Sequence, residues 1–384
     1  MKPSIQSLFQ SNPHRRRDHR VSEGGWVFDH SHVPLETPAL RILMDRFLQR
    51  RPEQHIEALF EGQPVNRSEG QAARHMELRS SSNDEVKQMA DRFLEVAQSL
   101  HSGRAGLSDL IHIGIGGSDL GPRLVADALD SADGKVTVHW LSTVDGRRLQ
   151  QLLATLDPAQ TGVVIASKSF STEETLVLAE RVRHWLGERF SGQAWAATAN
   201  PERAQAFGIV DSHILSFPQW TGGRFSLWSS VGVSAAACIG VDAFRLLMEG
   251  AHQADQHYRF AQGHYEGSLA VWFALVVDYL RRGLDFRTLG IVAYEPRLAL
   301  LGDYCQQLFM ESLGKQLDVD DQPIDEPTVP LIFGGRGTDL QHSIFQALHQ
   351  GIDTHPLLLV GALSDPAGNA ELSRVQLAHL LAQR

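Results

Sequence analysis

Hydroxyl groups and one ammonium group are concentrated in residues 167–172, which read Ser-Lys-Ser-Phe-Ser-Thr. The apolar run at residues 162–166 before them is typical of a buried parallel strand. Residues 173–180 after them have a helical pattern. The hydroxyls therefore stand where a strand ends and a helix begins, and free N–H groups with the positive end of the helix dipole favour an anion there. With the charge of Lys168 added, the pattern favours a phosphate-binding loop.

The same residues also fit a simpler interpretation. Ser171 and Glu174 have the spacing of a capping box, in which a serine hydroxyl and a glutamate satisfy the first backbone N–H groups of a helix. The remaining hydroxyls would then lie on the surface. The segment alone leaves both interpretations open.

A glycine-rich turn at residues 113–122 follows the first apolar strand of the chain. The dinucleotide fingerprint requires a glycine where Asp119 stands, and the Walker loop requires a lysine where Pro122 stands. Both nucleotide interpretations therefore fail. What remains is a tight turn that presents backbone N–H groups and Ser118 to an anion or a sugar hydroxyl, or a plain connection without a ligand.

The segment 220–232 combines two tryptophans with the sequence Gly222-Gly223-Arg224. Paired glycines permit close approach of a backbone, and a guanidinium is a fixed fork for oxyanions. Tryptophans this close in sequence more often indicate packing than ligand binding. Arg224 is the candidate for chemistry in this segment.

Glu311 ends an apolar stripe on the helix predicted for residues 298–313, so we expect its side chain to be partly buried. Burial raises the pKa of a carboxyl group and suits a general base. Gln307 lies one turn earlier on the same face. The alternative is an exposed Glu311 paired with Lys315 on the helix surface.

His342 stands near the start of a helix that follows the glycine turn at residues 333–337. A lone histidine is more often structural than catalytic. His349 is about two helical turns further on, too far for an ordinary shared metal site on one helix.

The elements that must position these residues alternate between strands and helices in two blocks. This alternation predicts an α/β fold with doubly wound parallel sheets. We predict a helical N-terminal region at residues 1–85 that packs on the second domain, a first α/β domain at residues 86–240 and a second at residues 241–384. The helix around residues 271–277 is apolar on all sides and is expected to be buried.

The composition of the 384 residues is that of a globular protein, with 42% hydrophobic and 21% charged residues. The net charge of −10 excludes a global basic field for nucleic acid or anionic membranes. Cys238 and Cys305 lie in apolar surroundings, which favours buried thiols over a disulfide or a metal site. No signal peptide or membrane span is evident, so we expect a cytoplasmic protein.

Taken together and in this order, the motifs resemble the glucose-6-phosphate isomerase family. The matching stretches are residues 114–122, 166–172, 222–229, 307–315 and 337–342. The resemblance implies two sugar-isomerase (SIS-type) α/β sandwiches. It also implies reversible interconversion of glucose 6-phosphate and fructose 6-phosphate, without a metal or other cofactor.

The resemblance also assigns roles to individual residues. Glu311 would move a proton between C1 and C2 through a cis-enediol, Arg224 would stabilise the enediolate, and His342 would assist ring opening. In the family this histidine is lent by the partner subunit, so a homodimer is implied. The substrate would be bound by a larger set of residues, namely Gly117, Ser118, Ser167, Lys168, Ser169, Thr172, Gly223 and Gln307.

The chain departs from the family pattern at several places. Ser169 stands where a threonine is usual, Leu313 where an asparagine is usual, and Arg336 and Leu340 alter the loop that leads to His342. Family members continue into a C-terminal helical segment with a catalytic lysine and a ligand-binding glutamine, whereas this sequence ends at Arg384. A sugar-phosphate-binding protein with weak or no catalysis is therefore the alternative function.

Overall fold

The computed structural model describes residues 4–65, 70–80, 83–130, 133–260, 263–318, 320–364 and 368–384. The chain forms two compact units. The first comprises Gln71–His252 and Pro296–Leu308, and we call it the five-stranded unit. The second comprises Met1–Gly70, Gln253–Glu295 and Phe309–Arg384, and we call it the three-stranded unit.

The N-terminal part of the three-stranded unit contains a β-hairpin among helices. Its elements are α1 (Ile5–Ser11), α2 (Arg15–Asp18), β1 (Arg20–Glu23), β2 (Trp26–Asp29), α3 (Thr37–Gln49) and α4 (Pro52–Phe60). The region is mainly helical, as expected, and also contains the hairpin β1–β2, which the sequence analysis had not predicted. Gly24 and Gly25 both have positive φ, +54° and +85°, which is what a two-residue hairpin turn requires.

The five-stranded unit is a parallel sheet in the order β4-β3-β5-β6-β7. The strands are β3 (Asp109–Ile113), β4 (Thr137–Leu141), β5 (Thr161–Ala166), β6 (Ala194–Thr198) and β7 (Ile214–Ser216). The helices are α5 (Asp84–His101), α6 (Leu120–Leu129), α7 (Gly146–Thr155), α8 (Glu173–Leu186), α9 (Phe190–Gln193), α10 (Pro201–Ala206) and α11 (Val233–Ile239).

Both faces of this sheet are covered, because alternate residues of β5 point to opposite sides. Val164 and Ala166 belong to a hydrophobic cluster that includes residues of α5 and α11. Val163 and Ile165 belong to a second cluster that includes residues of α7 and α8. All six residues of β5 are buried. The unit is therefore doubly wound, as the continuous apolar run predicted.

The remaining elements complete the chain. They are α12 (Val241–Phe260), α13 (Leu269–Asp278), β8 (Thr288–Ala293), α14 (Leu301–Leu313), β9 (Leu331–Arg336), α15 (Gly337–Gln341), α16 (Phe345–Gln350), β10 (Leu357–Val360) and α17 (Ala370–Ala382). Three of them form a parallel sheet in the order β10-β8-β9. The two-block α/β prediction is confirmed in its parallel sheets, although one sheet has five strands and the other has three.

Two helix predictions in the three-stranded unit need correction. Helix α13 is not buried on all sides: Val271, Trp272 and Val276 are buried, but Ala274 is exposed. The single helix expected after the glycine turn at residues 333–337 is two short helices, α15 and α16. The interruption includes Ser343, whose hydroxyl donates to the carbonyl of Leu340 and so competes with the helical backbone pattern.

Candidate active site

A polar pocket of about 300 Å³ opens at the carboxyl edge of the five-stranded sheet. Its position follows from the strand order, since β3 is followed along the chain by β4 on one side, whereas the neighbouring β5 is followed by β6 on the opposite side. Ligands of open α/β sheets bind where the connections diverge in this way. The residues that line the pocket are Ile115, Ser118, Ala166, Ser167, Lys168, Ser169, Thr172, Thr175 and Gln219.

The loop between β5 and α8 supplies most of the polar groups of this pocket. The backbone N–H of Ser167 donates to the carbonyl of Ala197 over 3.0 Å. The carbonyl of Lys168 accepts from the backbone N–H of Ala199 over 3.0 Å and from the hydroxyl of Thr198 over 3.1 Å. These bonds tie the loop to the end of β6, while its hydroxyl groups and the half-buried Lys168 line the pocket.

Phe170 fixes the same loop by a different means. Its φ is +48°, in the left-handed region that non-glycine residues rarely adopt. The side chain is 3% exposed and packs edge-on against Phe207, with ring centroids 5.7 Å apart. Burial of the ring therefore holds the backbone in a conformation that costs about 1–3 kcal/mol locally. Such a loop is preorganised before a ligand arrives.

The capping-box alternative is not what the structure contains. The N-cap of α8 is Thr172, and its side chain makes no cap bond to the helix. The hydroxyl of Ser171 donates to the hydroxyl of Ser169 over 2.7 Å. The Thr172 hydroxyl lies 3.2 Å from that of Ser167, across the loop. The hydroxyls thus form pairs around the helix start, where an anion is favoured.

The two glycine segments predicted to contact the ligand lie against each other. A Cβ added to Gly117 would lie 2.0 Å from the carbonyl oxygen of Gly223, so only glycine fits. The hydroxyl of Ser226 donates to the carbonyl of Gly223 over 2.7 Å and approaches that of Gly117 at 3.3 Å. The segment that bears Arg224 is therefore fixed to the turn that bears Ser118.

Gln307 belongs to the same unit, on the first part of α14. A Cβ added to Gly116 would lie 3.0 Å from the Nε2 atom of Gln307. The φ of Gly116 is +56°, which also favours glycine at this turn. The five-stranded unit therefore brings together Gln307, the glycine turn and the loop between β5 and α8.

Arg224 is half-buried, and its Cζ lies 5.0 Å from the centre of the Phe225 ring. An arginine held over an aromatic face at this distance makes a cation–π interaction. The guanidinium is thus oriented within the segment that Gly117 and Gly223 fix.

The two remaining predicted catalytic residues belong to the three-stranded unit. Glu311 is exposed, so the expectation of partial burial was wrong. It lies in the last turn of α14, and residues 313–318 after it are exposed as well. His342 is also exposed, at the residue that ends α15. The start of that helix is fixed by Gly337, where a Cβ would lie 2.6 Å from the Tyr294 ring.

Three residues at the pocket or its turn had not been singled out from the sequence. Thr175 is 2% exposed, and its hydroxyl has no hydrogen-bond partner among the described residues. Gln219 also lines the pocket. His112 is fully buried in β3 and accepts or donates bonds on both ring nitrogens. His112 could have been noticed in the sequence, because it is a histidine within the apolar run that predicts this strand.

Asp119, which replaces the third glycine of a dinucleotide fingerprint, is buried at 3% exposure. Burial raises the pKa of its carboxyl group above the ordinary value. A buried carboxyl group at this position adds a second reason why the turn does not suit a dinucleotide pyrophosphate.

Cys238 and Cys305 are both free and half-buried rather than fully buried. Burial raises the pKa of the Cys238 thiol to about 12 and that of Cys305 to about 11, so both are unreactive thiols at neutral pH. Within the described ranges, no group of three His, Cys, Asp or Glu residues is arranged to hold a metal ion. No helix in the described part of the chain is long and apolar enough to cross a membrane.

Fold and pocket together define a class of protein, namely an α/β protein with a pocket at the switch point of a parallel sheet, lined by hydroxyl groups and one lysine at a helix start, where an anionic ligand is favoured. Comparison with known proteins identifies the family. The family model described as phosphoglucose isomerase matches residues 29–384. The chain belongs to the phosphoglucose isomerase family, which confirms the resemblance seen in the motifs.

Individual relatives agree with this assignment. The glucose-6-phosphate isomerase of Stenotrophomonas maltophilia (strain R551-3) is 40% identical over 391 residues, covering 99% of this chain and 76% of the relative. That of Xanthomonas axonopodis pv. citri is 39% identical with the same coverage. The crystal structure of a glucose-6-phosphate isomerase from Chlamydia trachomatis has a TM-score of 0.88 at 26% identity, covering 100% of this chain and 78% of that one.

Proposed function

We propose that the protein interconverts glucose 6-phosphate and fructose 6-phosphate, the aldose–ketose isomerisation of glycolysis and gluconeogenesis. The observation that carries the proposal is the polar pocket at the phosphate loop, in a chain that is 40% identical over nearly its full length to a glucose-6-phosphate isomerase. A phosphate group fits a helix start lined by hydroxyls and one lysine.

In this proposal the phosphate is bound by Ser167, Lys168, Ser169 and Thr172. Ser118 and the backbone at Gly117 and Gly223 contact the sugar, and Gln307 helps to position it. These contacts anchor the substrate and leave C1 and C2 for the chemistry. Binding energy from the non-reacting phosphate is then used to orient the reacting carbons.

The chemistry falls to three side chains. His342 assists opening of the sugar ring. Glu311 removes the proton from C2 of the open-chain aldose, the C1–C2 double bond forms, and the C1 oxygen takes up negative charge. Arg224 stabilises that charge. Return of the proton to C1, with transfer of the O2 hydrogen to the C1 oxygen, leaves the ketose carbonyl at C2 and a hydroxyl group on C1. We propose that no metal or other cofactor is needed, as the family resemblance implies.

A coupled assay of fructose 6-phosphate turnover tests the function directly. A positioned base typically contributes about 10²- to 10⁴-fold in rate, so Glu311→Gln should lower turnover by that order while substrate binding is retained. Glu180→Gln, an exposed glutamate on α8, is the matched control and should leave the rate unchanged. Turnover by the unmodified protein no faster than by Glu311→Gln, with binding intact, would favour a sugar-phosphate-binding protein instead. Unchanged turnover in EDTA would support metal-independent catalysis.

We further propose a homodimer in which His342 is lent to the site of the partner. The exposure of His342 supports this proposal, because an exposed side chain is accessible to a second subunit. Mixing inactive Glu311→Gln and His342→Ala proteins tests it. Random exchange of subunits would restore about one quarter of the native activity, since half of the dimers would be mixed and each would contain one intact site. No recovery after demonstrated exchange would contradict it.

We also propose a cytoplasmic location, because the hexose phosphates of glycolysis are cytoplasmic metabolites. Cell fractionation followed by detection of the chain with a specific antibody would test this. Recovery of the chain in a membrane or an exported fraction would contradict the proposal.

A further inference from the structure

A short helical segment at residues 74–79 lies along the arginine-bearing segment at residues 220–228. Each of three basic or imidazole side chains of the first segment faces one aromatic ring of the second. The pairs are Arg74 over Trp220 at 5.3 Å, His75 on Phe225 at 4.2 Å and Arg79 over Trp228 at 5.3 Å. Both segments belong to the five-stranded unit.

The central pair is the one that reaches the candidate site. The His75 imidazole is parallel to the Phe225 ring, with an interplanar angle of 5°. The guanidinium of Arg224 lies over the same ring, 5.0 Å from its centre. The Phe225 ring therefore contacts His75 and Arg224 at once, so a shift of this ring would move a surface on which the guanidinium rests.

The charge state of His75 is compatible with its position between Phe225 and the nearby arginines. Burial, followed by the nearby charges of Arg79 and Arg224, lowers the pKa of its imidazole to about 4. The ring is therefore neutral at physiological pH. A neutral ring stacks on Phe225 without adding a positive charge beside Arg224, which a lysine or an arginine at position 75 would do.

The local backbone makes such a support necessary. Gly222 and Gly223 precede the arginine, and glycines leave a segment with more conformational freedom than other residues. A Cβ added to Gly222 would lie 3.3 Å from the Phe225 ring, so the ring already packs closely on its own turn. Stacking on His75 is a second contact that restricts the rotation of the ring.

We propose that His75 is a positioning residue for the isomerisation: by stacking on Phe225 it fixes the guanidinium of Arg224 where negative charge develops on the substrate. The inference rests on the proposed function, which assigns that charge stabilisation to Arg224. His75 itself does not touch the substrate. Its contribution is therefore made in the transition state and not in binding of the phosphate group.

Two substitutions of His75 separate stacking from simple filling of space. His75→Phe retains a planar ring, whereas His75→Leu fills a similar volume and cannot stack. We expect His75→Leu to lower kcat by about 10- to 100-fold, as small misplacements of catalytic groups do. KM for fructose 6-phosphate should change little, and His75→Phe should restore most of the rate.

His213→Ala is the matched control. His213 stacks on Trp195, with ring centroids 4.9 Å apart, just before the amino end of β7 and so away from the carboxyl edge of the sheet. Loss of this stacked histidine should lower thermal stability but leave kcat and KM unchanged. Circular dichroism of each variant at the assay temperature confirms that the folded fraction is the same.

A double substitution provides the last test. In an Arg224→Lys background, His75→Leu should have little further effect on kcat, because the group that it positions is already replaced. The positioning role would be overturned if His75→Leu had the same kcat as the unmodified protein. It would also be overturned if His75→Phe lost as much kcat as His75→Leu, or if the effects of His75→Leu and Arg224→Lys on kcat were fully additive. None of these results would contradict the proposed function. Absence of turnover in the unmodified protein would overturn the proposed function and this role with it.

Discussion

The Nε2 of His112 lies 2.7 Å from the carbonyl oxygen of Ser118, and its Nδ1 lies 2.8 Å from the hydroxyl of Ser234. A carbonyl oxygen can only accept, so Nε2 carries the hydrogen and Nδ1 accepts from the Ser234 hydroxyl. This assignment makes the imidazole neutral. A buried side chain within the sheet thereby fixes the turn that carries Ser118 to the pocket.

Replacement of His112 should weaken both folding and substrate binding. His112→Phe leaves the Ser118 carbonyl and the Ser234 hydroxyl without their partner, which costs about 1–3 kcal/mol for each buried group. His112→Gln can still donate to one and accept from the other, so it should retain most of the stability. Urea unfolding and KM for fructose 6-phosphate measure the two effects. Equal stability of the Phe and Gln variants would contradict this role.

The buried imidazole of His112 should also make the free energy of unfolding depend on pH. Burial lowers the pKa of His112 from its ordinary value of 6.5 to about 4. Between these values the unfolded chain binds a proton that the folded chain does not, so the free energy of unfolding falls as pH falls from 6.5 toward 4. The contribution of this residue is at most about 3 kcal/mol, and it is fully present above pH 6.5.

Urea unfolding at a series of pH values from 4.5 to 7.5, a range set by these two pKa values, measures the slope. His112→Gln has no imidazole to titrate, so the loss of stability on acidification should be smaller in this variant. Parallel curves for the two proteins would show that His112 does not titrate in this range.

Gly117→Ala should disturb both glycine segments at once. The new Cβ would lie 2.0 Å from the Gly223 carbonyl oxygen, and this contact is with backbone that cannot rotate away. We expect a loss of about 1–3 kcal/mol in the free energy of unfolding and a marked fall in kcat, because Arg224 moves with Gly223. Gly192→Ala is the control, since no heavy atom lies within 4 Å of its added Cβ. Similar kinetics for the two variants would contradict the coupling.

Lys168→Met tests the anion site without removing the length of the side chain. A hydrogen bond to a charged group is worth about 1.5–3 kcal/mol, so KM for fructose 6-phosphate should rise by roughly 10- to 150-fold. Calorimetry with inorganic phosphate should show the same weakening. Lys87→Met, at an exposed position of α5, should have no effect. An unchanged affinity for both ligands in Lys168→Met would place the phosphate elsewhere.

Much of the fold could be predicted from the sequence because its signals are local. The apolar run of β5, the hydroxyl-rich loop and the start of α8 are contiguous, and their period and composition predict strand, turn and helix directly. The hairpin β1–β2 was missed although Gly24 and Gly25 were visible in the sequence. Its strands are only four residues each, too short to show a clear alternation.

The sequence by itself therefore determined the alternating α/β elements, the hydroxyl-rich loop at residues 167–172 and the family motifs. Only the tertiary structure decided which distant groups meet. The carbonyl of Gly223 lies against Gly117, the imidazole of His112 bonds to the carbonyl of Ser118, and the Phe225 ring contacts both His75 and Arg224. It also decided that Glu311 is exposed. The physical reason is that burial and contact depend on elements far away along the chain, whereas hydrophobic period and turn chemistry are properties of each segment alone.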